Sequence, residues 1–85
     1  EVSPAADRDV ERLKQRIQRR NFERLRTAIR SLADEPRPHG VRKIEGAEKA
    51  YRIRVGDYRV VYEIYDKESL VLILQVARRT ETTYR

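Results

Sequence analysis

The stretch YRIRVGDYRVVY, residues 51–62, decides the fold, because its register can be read without any other part of the chain. Val55-Gly56-Asp57-Tyr58 sets Gly-Asp between two runs of β-branched and aromatic residues, the pattern of a two-residue primed hairpin whose first central position needs a positive φ. Pairing Val55 with Tyr58 then places Arg54 opposite Arg59, Ile53 opposite Val60, Arg52 opposite Val61 and Tyr51 opposite Tyr62. Side chains alternate along a strand, so Tyr51, Ile53, Val55, Tyr58, Val60 and Tyr62 share one face while Arg52, Arg54 and Arg59 share the other. The first face reads as core and the second as a cationic patch. Like charges directly opposite on a sheet are unfavourable by roughly 0.2–1 kcal/mol, so the Arg54–Arg59 pair breaks a local rule. Such breaks are expected where function needs them, and forked guanidinium donors fit the oxygens of a polyanion. A merely solvated face is the alternative.

With 85 residues the chain has room for one domain and a single modest core. Hydrophobic residues make up 39% and charged residues 40%, and the apolar periodicity argues for a folded domain with a heavily charged surface. The net charge of +6 is spread evenly, since residues 1–40 and 41–85 each carry ten basic and seven acidic side chains. A basic folded surface suits nucleic acid or an acidic protein partner. Sixteen of the twenty basic residues are arginine, a skew to which genomic base composition can contribute. There is no cysteine and a single histidine, His39, in a Pro-Gly loop, so neither a disulfide framework nor a thiolate metal site can be built, and no metal or cofactor is expected. No apolar run approaches the roughly 20 residues of a membrane span, no signal peptide is visible, and the cytoplasm is the expected location. The chain lacks methionine and starts at Glu1, so a few native residues are expected ahead of it, and Val2 is expected to end a first strand whose beginning is missing.

Ser3-Pro4 opens a helix, with Ser as N-cap, Pro at the first helical position and Asp7 and Asp9 near the positive end of the dipole. Val10, Leu13 and Ile17 recur at helical spacing. A second helical segment carries Phe22, Leu25, Ala28, Ile29 and Leu32 on one face and ends near Ala33 or Asp34, before Pro36. The apolar stripe slips phase around Arg19-Arg20-Asn21, which predicts a helical hairpin broken there. After the Pro36–Gly40 loop the period changes to two: a short extended piece over Val41–Ile44, a polar loop over Glu45–Lys49, strands over Ala50–Val55 and Tyr58–Tyr65, a turn over Asp66–Ser69, and a last strand over Leu70–Ala77. That strand, LVLILQVA, is apolar on both faces and is therefore expected to lie centrally. The order predicts an α+β domain, an N-terminal helical hairpin packed on one face of a small, mostly antiparallel β-sheet. There is no GxGxxG, P-loop, HExxH or GxSxG, so nucleotide-fold enzymes, zincins and serine hydrolases find no support.

The tail, ARRTETTYR, gathers Arg78, Arg79, Tyr84 and Arg85. If the last strand pairs beside Arg59, these residues leave the sheet near the arginine face. With SPAADRDVERL, PRPHGVRKIEG, YRIRVGDYRVVYEI and VARRTETTYR in this order and spacing, the chain from Ser3 to Arg85 resembles the RelE branch of the RelE/ParE toxin superfamily, and so a single RelE-like toxin domain over residues 1–85. The YRIRVGDYRVVYEI segment is the most specific part. The resemblance implies a toxin of a type II toxin–antitoxin system, a ribosome-dependent endoribonuclease (mRNA interferase) that cuts mRNA in the ribosomal A site and is neutralised by a RelB-like antitoxin. It also implies catalytic residues: two basic residues before the hairpin turn, matched by Arg52 and Arg54, an arginine just after it, Arg59, a tail arginine, Arg79, and a tyrosine near the C-terminus, Tyr84.

The implied reaction is attack of a ribose 2′-OH on the adjacent phosphate, which asks for removal of the 2′ proton, stabilisation of phosphoryl charge and protonation of the leaving oxygen. Arg59 and Arg79 are assigned to the phosphate. Arg52 and Arg54 would hold the RNA backbone, with one of them open to a role at the 2′-OH or the leaving group, and Tyr84 would stack on a base or take part in proton transfer. Arg78, Arg85 and Tyr65 are candidate RNA contacts. The chain departs from many relatives in having arginine rather than lysine at 52 and 54 and arginine rather than histidine at 78. His39 does not replace that histidine. Arg8, Arg12, Arg16, Arg19 and Arg20 read as a solvated helix face, with contact to ribosomal RNA the alternative. The competing readings are a ParE-like toxin that inhibits DNA gyrase and a non-catalytic RNA-binding relative.

Overall fold

The primed turn forms as its residues require. Gly56 sits at φ +60° while Asp57 keeps a negative φ, the signature of a hairpin with its left-handed position first. In the computed structural model, which describes residues 1–78, this hairpin joins β2 (Ala50–Val55) to β3 (Tyr58–Tyr65), and every pair expected from the turn is present, from Val55 with Tyr58 to Tyr51 with Tyr62. β1 (Arg42–Lys43) flanks β2 and β4 (Leu70–Arg78) flanks β3, giving an antiparallel sheet in the order β1-β2-β3-β4.

Two helices cover one face. α1 (Pro4–Lys14) lies along β4 and α2 (Arg19–Ser31) along β2. Ser3 caps α1 as expected, its hydroxyl accepting from the Ala6 amide at 3.1 Å. The interhelical break comes earlier than the phase slip suggests: Arg16 and Gln15 donate back to Leu13 and Arg12 in a tight last turn, and Gln18 is the extended N-cap of α2. Arg19 and Arg20 therefore open α2, with no acidic residue in its first turn, against the preference of the helix dipole. Ile17 falls in the connection yet still packs on the core.

The core holds Leu25 from α2 and Leu32 at its C-cap, Ala6 from α1, and Ile53, Tyr58, Val60, Tyr62, Ile64, Val71, Ile73 and Val76 from the sheet. Tyr62 is its centre. Its ring, wholly out of solvent, stacks on Tyr51 with centroids 6.2 Å apart, and its hydroxyl donates to the Pro36 carbonyl at 2.6 Å. Burial pushes the Tyr62 hydroxyl up to about 12, against the opposing pull of the Arg37 charge. Arg37 grips Asp66 through two hydrogen bonds of 3.2 and 3.0 Å and lies 5.3 Å over the Tyr51 ring, so the Pro36–Gly40 loop is pinned to the far end of the hairpin. That grip holds the Asp66 carboxyl below its ordinary value.

β4 differs from expectation. It is the last of the four strands, and Leu70 and Leu72 pair with Tyr65 and Glu63 on the face away from the helices, which makes the strand apolar on both sides. Val61 pairs with Gln75 but Tyr62 with Ile73, so Leu74 is an extra residue at a bulge. Val71 and Ile73 face the core before it and Val76 after it, which switches the alternation within one strand. The outer edge of β4 is not left bare. Val2 bridges Ile73 in parallel, with hydrogen bonds from Ser3 to Ile73 and from Ile73 to Glu1, both 2.9 Å, and the Glu1 amino group donates to the Val71 carbonyl at 3.0 Å. Further along, Asp9 of α1 accepts from the Val76 amide at 3.0 Å and from Arg12 at 2.5 Å. Asp9→Ala leaves that edge amide without its acceptor, and urea denaturation is expected to show a loss of about 1–2 kcal/mol. Arg12→Ala removes only an exposed ion-pair partner and is expected to cost no more than about 0.5 kcal/mol. Equal losses would show that the ion pair, not the bond to the strand, is what matters.

Candidate functional site

The face of the sheet turned away from the helices is built by β-strand alternation alone. Arg52, Arg54 and Arg59 lie on it together, with Arg54 directly opposite Arg59, a placement that sets Cβ atoms about 4.5–5.5 Å apart. Arg54 is exposed, and Arg52 and Arg59 are half-buried. Strand β1 adds a residue that sequence reading missed. Arg42 pairs with Arg52 and so shares its face, while Lys43 pairs with Tyr51 on the helix side, its ammonium 5.1 Å from that ring and bonded to the Ala47 and Glu48 carbonyls. The signal was available in Val41, whose packing on the core turns Arg42 outward, but a two-residue strand gives no register by itself.

The rows of this face are therefore Arg54, Arg59 and Ala77 nearest the turn, then Arg42, Arg52, Val61 and Gln75. Val61, although on the face away from the helices, is 9% exposed, set between Arg52 and Gln75 across the strands. The next row changes character, with Glu63 beside Ala50 and Leu72. Positive charge on this face is thus confined to the hairpin half, beside Ala77 and Val61.

The other candidates separate. Tyr65 shares the face but sits six residues from Arg59, roughly 20 Å along the strand. Its hydroxyl donates to Glu63 at 2.5 Å, which raises its ionisation above the ordinary tyrosine value, and Lys49 lies 4.6 Å over its ring. It is not part of the arginine group. β4 does pair beside Arg59, through Ala77. Arg78, however, pairs with Tyr58, and alternation assigns it to the helix side of the strand. Arg79, Tyr84 and Arg85 lie outside the described residues. Tyr51, Tyr58 and Tyr62 are core residues, as their register implies. His39 is exposed and shares with Arg54 the rim of an open hollow of about 550 Å³ between α2 and β2.

Chemically, the site offers permanent positive charge and directional donors. Among the described residues no three His, Cys, Asp or Glu side chains come together in a way that could hold a metal ion, and no helix is long and apolar enough to cross a membrane. Such a face can bind and neutralise phosphate oxygens, the requirement of phosphodiester chemistry.

Known proteins share this architecture. The archaeal RelE of Pyrococcus horikoshii OT3, solved as a RelE–RelB complex, superposes with a TM-score of 0.75 at 27% identity, covering 95% of this chain and 93% of that one. The isolated Escherichia coli RelE toxin superposes with a TM-score of 0.74 at 19% identity over 98% of this chain and 85% of that one, a likeness of fold. RelE1 of Methanocaldococcus jannaschii, an inferred toxin, is 26% identical over 62 residues, 69% of each chain. The family model for the ParE toxin of type II toxin–antitoxin systems, parDE, matches residues 1–82. A chain with this match and this fold belongs to that family, and it is a RelE-type toxin of the RelE/ParE superfamily.

Proposed function

We propose that the protein arrests translation as a ribosome-dependent endoribonuclease, cutting mRNA in the ribosomal A site, and that a RelB-like antitoxin neutralises it. The observation that carries this reading is the register of the hairpin, which gathers Arg52, Arg54 and Arg59 on the open face and opposes two of them. A toxin that acted only by occluding a protein partner would gain little from setting like charges against one another there.

In the reaction the 2′ oxygen bonds to phosphorus, the bond from phosphorus to the 5′ oxygen breaks, the 2′ proton passes to a base and the 5′ oxygen takes up a proton. The products are a 2′,3′-cyclic phosphate and a 5′-OH. Arg59, with Arg79 from the tail, neutralises the phosphoryl oxygens as charge builds on them, while Arg52 and Arg54, joined by Arg42, hold the flanking backbone. Arginine keeps its proton at any working pH, so its part here is electrostatic. Tyr84 keeps the role of stacking on a base or moving a proton, and the ribosome supplies the extended, unpaired mRNA. The antitoxin partner is inferred from the relatives solved with RelB, among them the Pyrococcus complex.

Two assays on the purified protein separate this reading from gyrase inhibition. A cell-free translation reaction is expected to stop on its addition, while supercoiling by purified DNA gyrase proceeds unchanged. Undisturbed translation with blocked supercoiling would assign the protein to the gyrase inhibitors.

A further inference from the structure

The turn end of β2 is a sheet edge. Among the described residues β1 pairs with Tyr51 and Arg52 alone, so from Ile53 to Val55 the strand has β3 on one side and, on the other, the open hollow of about 550 Å³ between α2 and the Pro36–Gly40 loop. That volume lies within the roughly 300–1,000 Å³ of sites that take small ligands. Buried Leu32 and Ile53 and half-buried Ala28 and Val55 give the hollow an apolar lining, and Pro38 and His39 add ring surfaces on the loop side. The loop side is held in place. Tyr62 donates to the Pro36 carbonyl, Arg37 grips Asp66, and the Val41 amide donates to the Pro38 carbonyl at 3.1 Å.

Charge around the hollow is divided by sign. Arg24 of α2 and Arg54 of β2 both line it, and Arg54 is at the same time the partner of Arg59 on the arginine face. The hollow and that face therefore share a residue. Asp34 and Glu35 also line the hollow, just past the C-terminal end of α2, where the helix dipole favours cations. Two exposed carboxylates at that end break a local rule, as the opposed arginines do on the sheet. With the negative end of the dipole they make a region that accepts hydrogen bonds and repels anions.

We propose that this hollow is a nucleobase subsite, which takes the base of a nucleotide adjoining the phosphate held at Arg54 and Arg59 and favours bases that carry an exocyclic amino group. This rests on the nuclease reading of the arginine face and adds to it a means of discriminating between codons. Asp34 and Glu35 keep phosphate out, so the backbone stays with Arg54 and only the uncharged base enters. A flat heterocycle gains from the ring surfaces and the apolar lining, as unstacked bases of single-stranded RNA do elsewhere. The carboxylates then choose among bases. They accept from the amino group of cytosine or adenine, whereas the corresponding position of uracil is an acceptor and offers them nothing.

The test uses the full chain and two single-stranded RNAs of about six nucleotides, oligocytidylate and oligouridylate, 2′-O-methylated throughout so that neither can be cut. Affinity is measured by fluorescence anisotropy for wild type, the double variant Asp34→Asn with Glu35→Gln, Ala28→Phe and Arg59→Ala, each checked by thermal melting. The readout is the ratio of the two affinities, because a change in net charge moves both alike. Wild type is expected to bind the cytidylate about three- to tenfold more tightly. The double variant, whose amides can also donate to the uracil oxygen, is expected to bind both RNAs more tightly and to bring the ratio to about one. Ala28→Phe fills the hollow without changing charge and is expected to lose the preference as well; where it fails to fold, the double variant decides. Arg59→Ala is expected to weaken both RNAs and leave the ratio as it is. Equal binding of the two RNAs by wild type would overturn the base subsite and leave the nuclease reading standing. A preference that survives in the double variant would also overturn it, because the base is then read elsewhere. Failure of wild type to bind either RNA would remove the nuclease reading and the subsite together.

Discussion

Arg59→Ala is expected to slow cleavage of ribosome-bound mRNA by about 10²–10³-fold, the loss found when one preorganised donor to a developing oxyanion is removed. Arg59 stands directly across from Arg54 and beside Ala77, so its guanidinium is the one that sees both neighbours of the hairpin and the strand leading to the tail. Arg59→Lys keeps the charge but loses the forked donors, and is expected to recover only part of the rate. Arg42→Ala, at the edge strand, is expected to act on apparent affinity more than on the rate of the bound complex, since the role proposed for it is to hold the flanking backbone and not the reacting phosphate. Single-turnover measurements at saturating toxin separate the two effects. A variant at Arg59 that cuts within threefold of wild type would remove this residue from the chemistry.

Tyr62→Ala is expected to cost about 3–5 kcal/mol, the range for deleting a buried aromatic ring. The ring is fully enclosed between the helices and the sheet, it stacks on Tyr51, and its hydroxyl satisfies the Pro36 carbonyl. Small domains have only about 5–15 kcal/mol in total, so the melting temperature should fall by roughly 15–30 °C. Tyr62→Phe keeps the ring and is expected to lose about 1–2 kcal/mol for the unsatisfied carbonyl. The phenol also sets an alkaline limit. Its ionisation is raised from 10.0 to about 12 in the folded protein, so the unfolded chain releases this proton first. Its stabilisation is therefore complete below pH 10 and is lost as pH climbs toward 12, by on the order of 2 kcal/mol. Tyr62→Phe has no such group, so its stability should fall less steeply over that window. Parallel alkaline curves for the two proteins would contradict this assignment.

Much of the fold is legible before any coordinates, because the Gly56-Asp57 turn admits one pairing and that pairing fixes both faces of β2 and β3. Ser3-Pro4 announces α1 with similar clarity. What is not legible depends on distant partners. The apolar run of β4 looks like a central strand because Leu70 and Leu72 are apolar on the face away from the helices, and a bulge at Leu74, which has no local sequence mark, moves the core alternation on to Val76. The break between the helices is displaced because Arg19 and Arg20 begin a helix that neither capping nor the dipole favours. At the site, Arg52, Arg54 and Arg59 follow from alternation within one hairpin. Arg42 needs the register of a two-residue strand, and the division of Arg78 from that face needs the bulge upstream of it. Tyr65 shares parity with the arginines, but parity says nothing of the roughly 20 Å that separates them.

The most direct measurement is primer extension on mRNA positioned in programmed ribosomes, run with wild-type protein, with Arg59→Ala and with the same RNA lacking ribosomes. Cuts at a fixed place within the A-site codon, dependent on the ribosome, leaving a 5′-OH on the downstream fragment and lost in the variant, are the predicted result. Intact mRNA after incubation with folded wild-type protein, or cuts that persist at full rate in Arg59→Ala, would contradict the assignment of the hairpin's arginine face as the site of RNA cleavage.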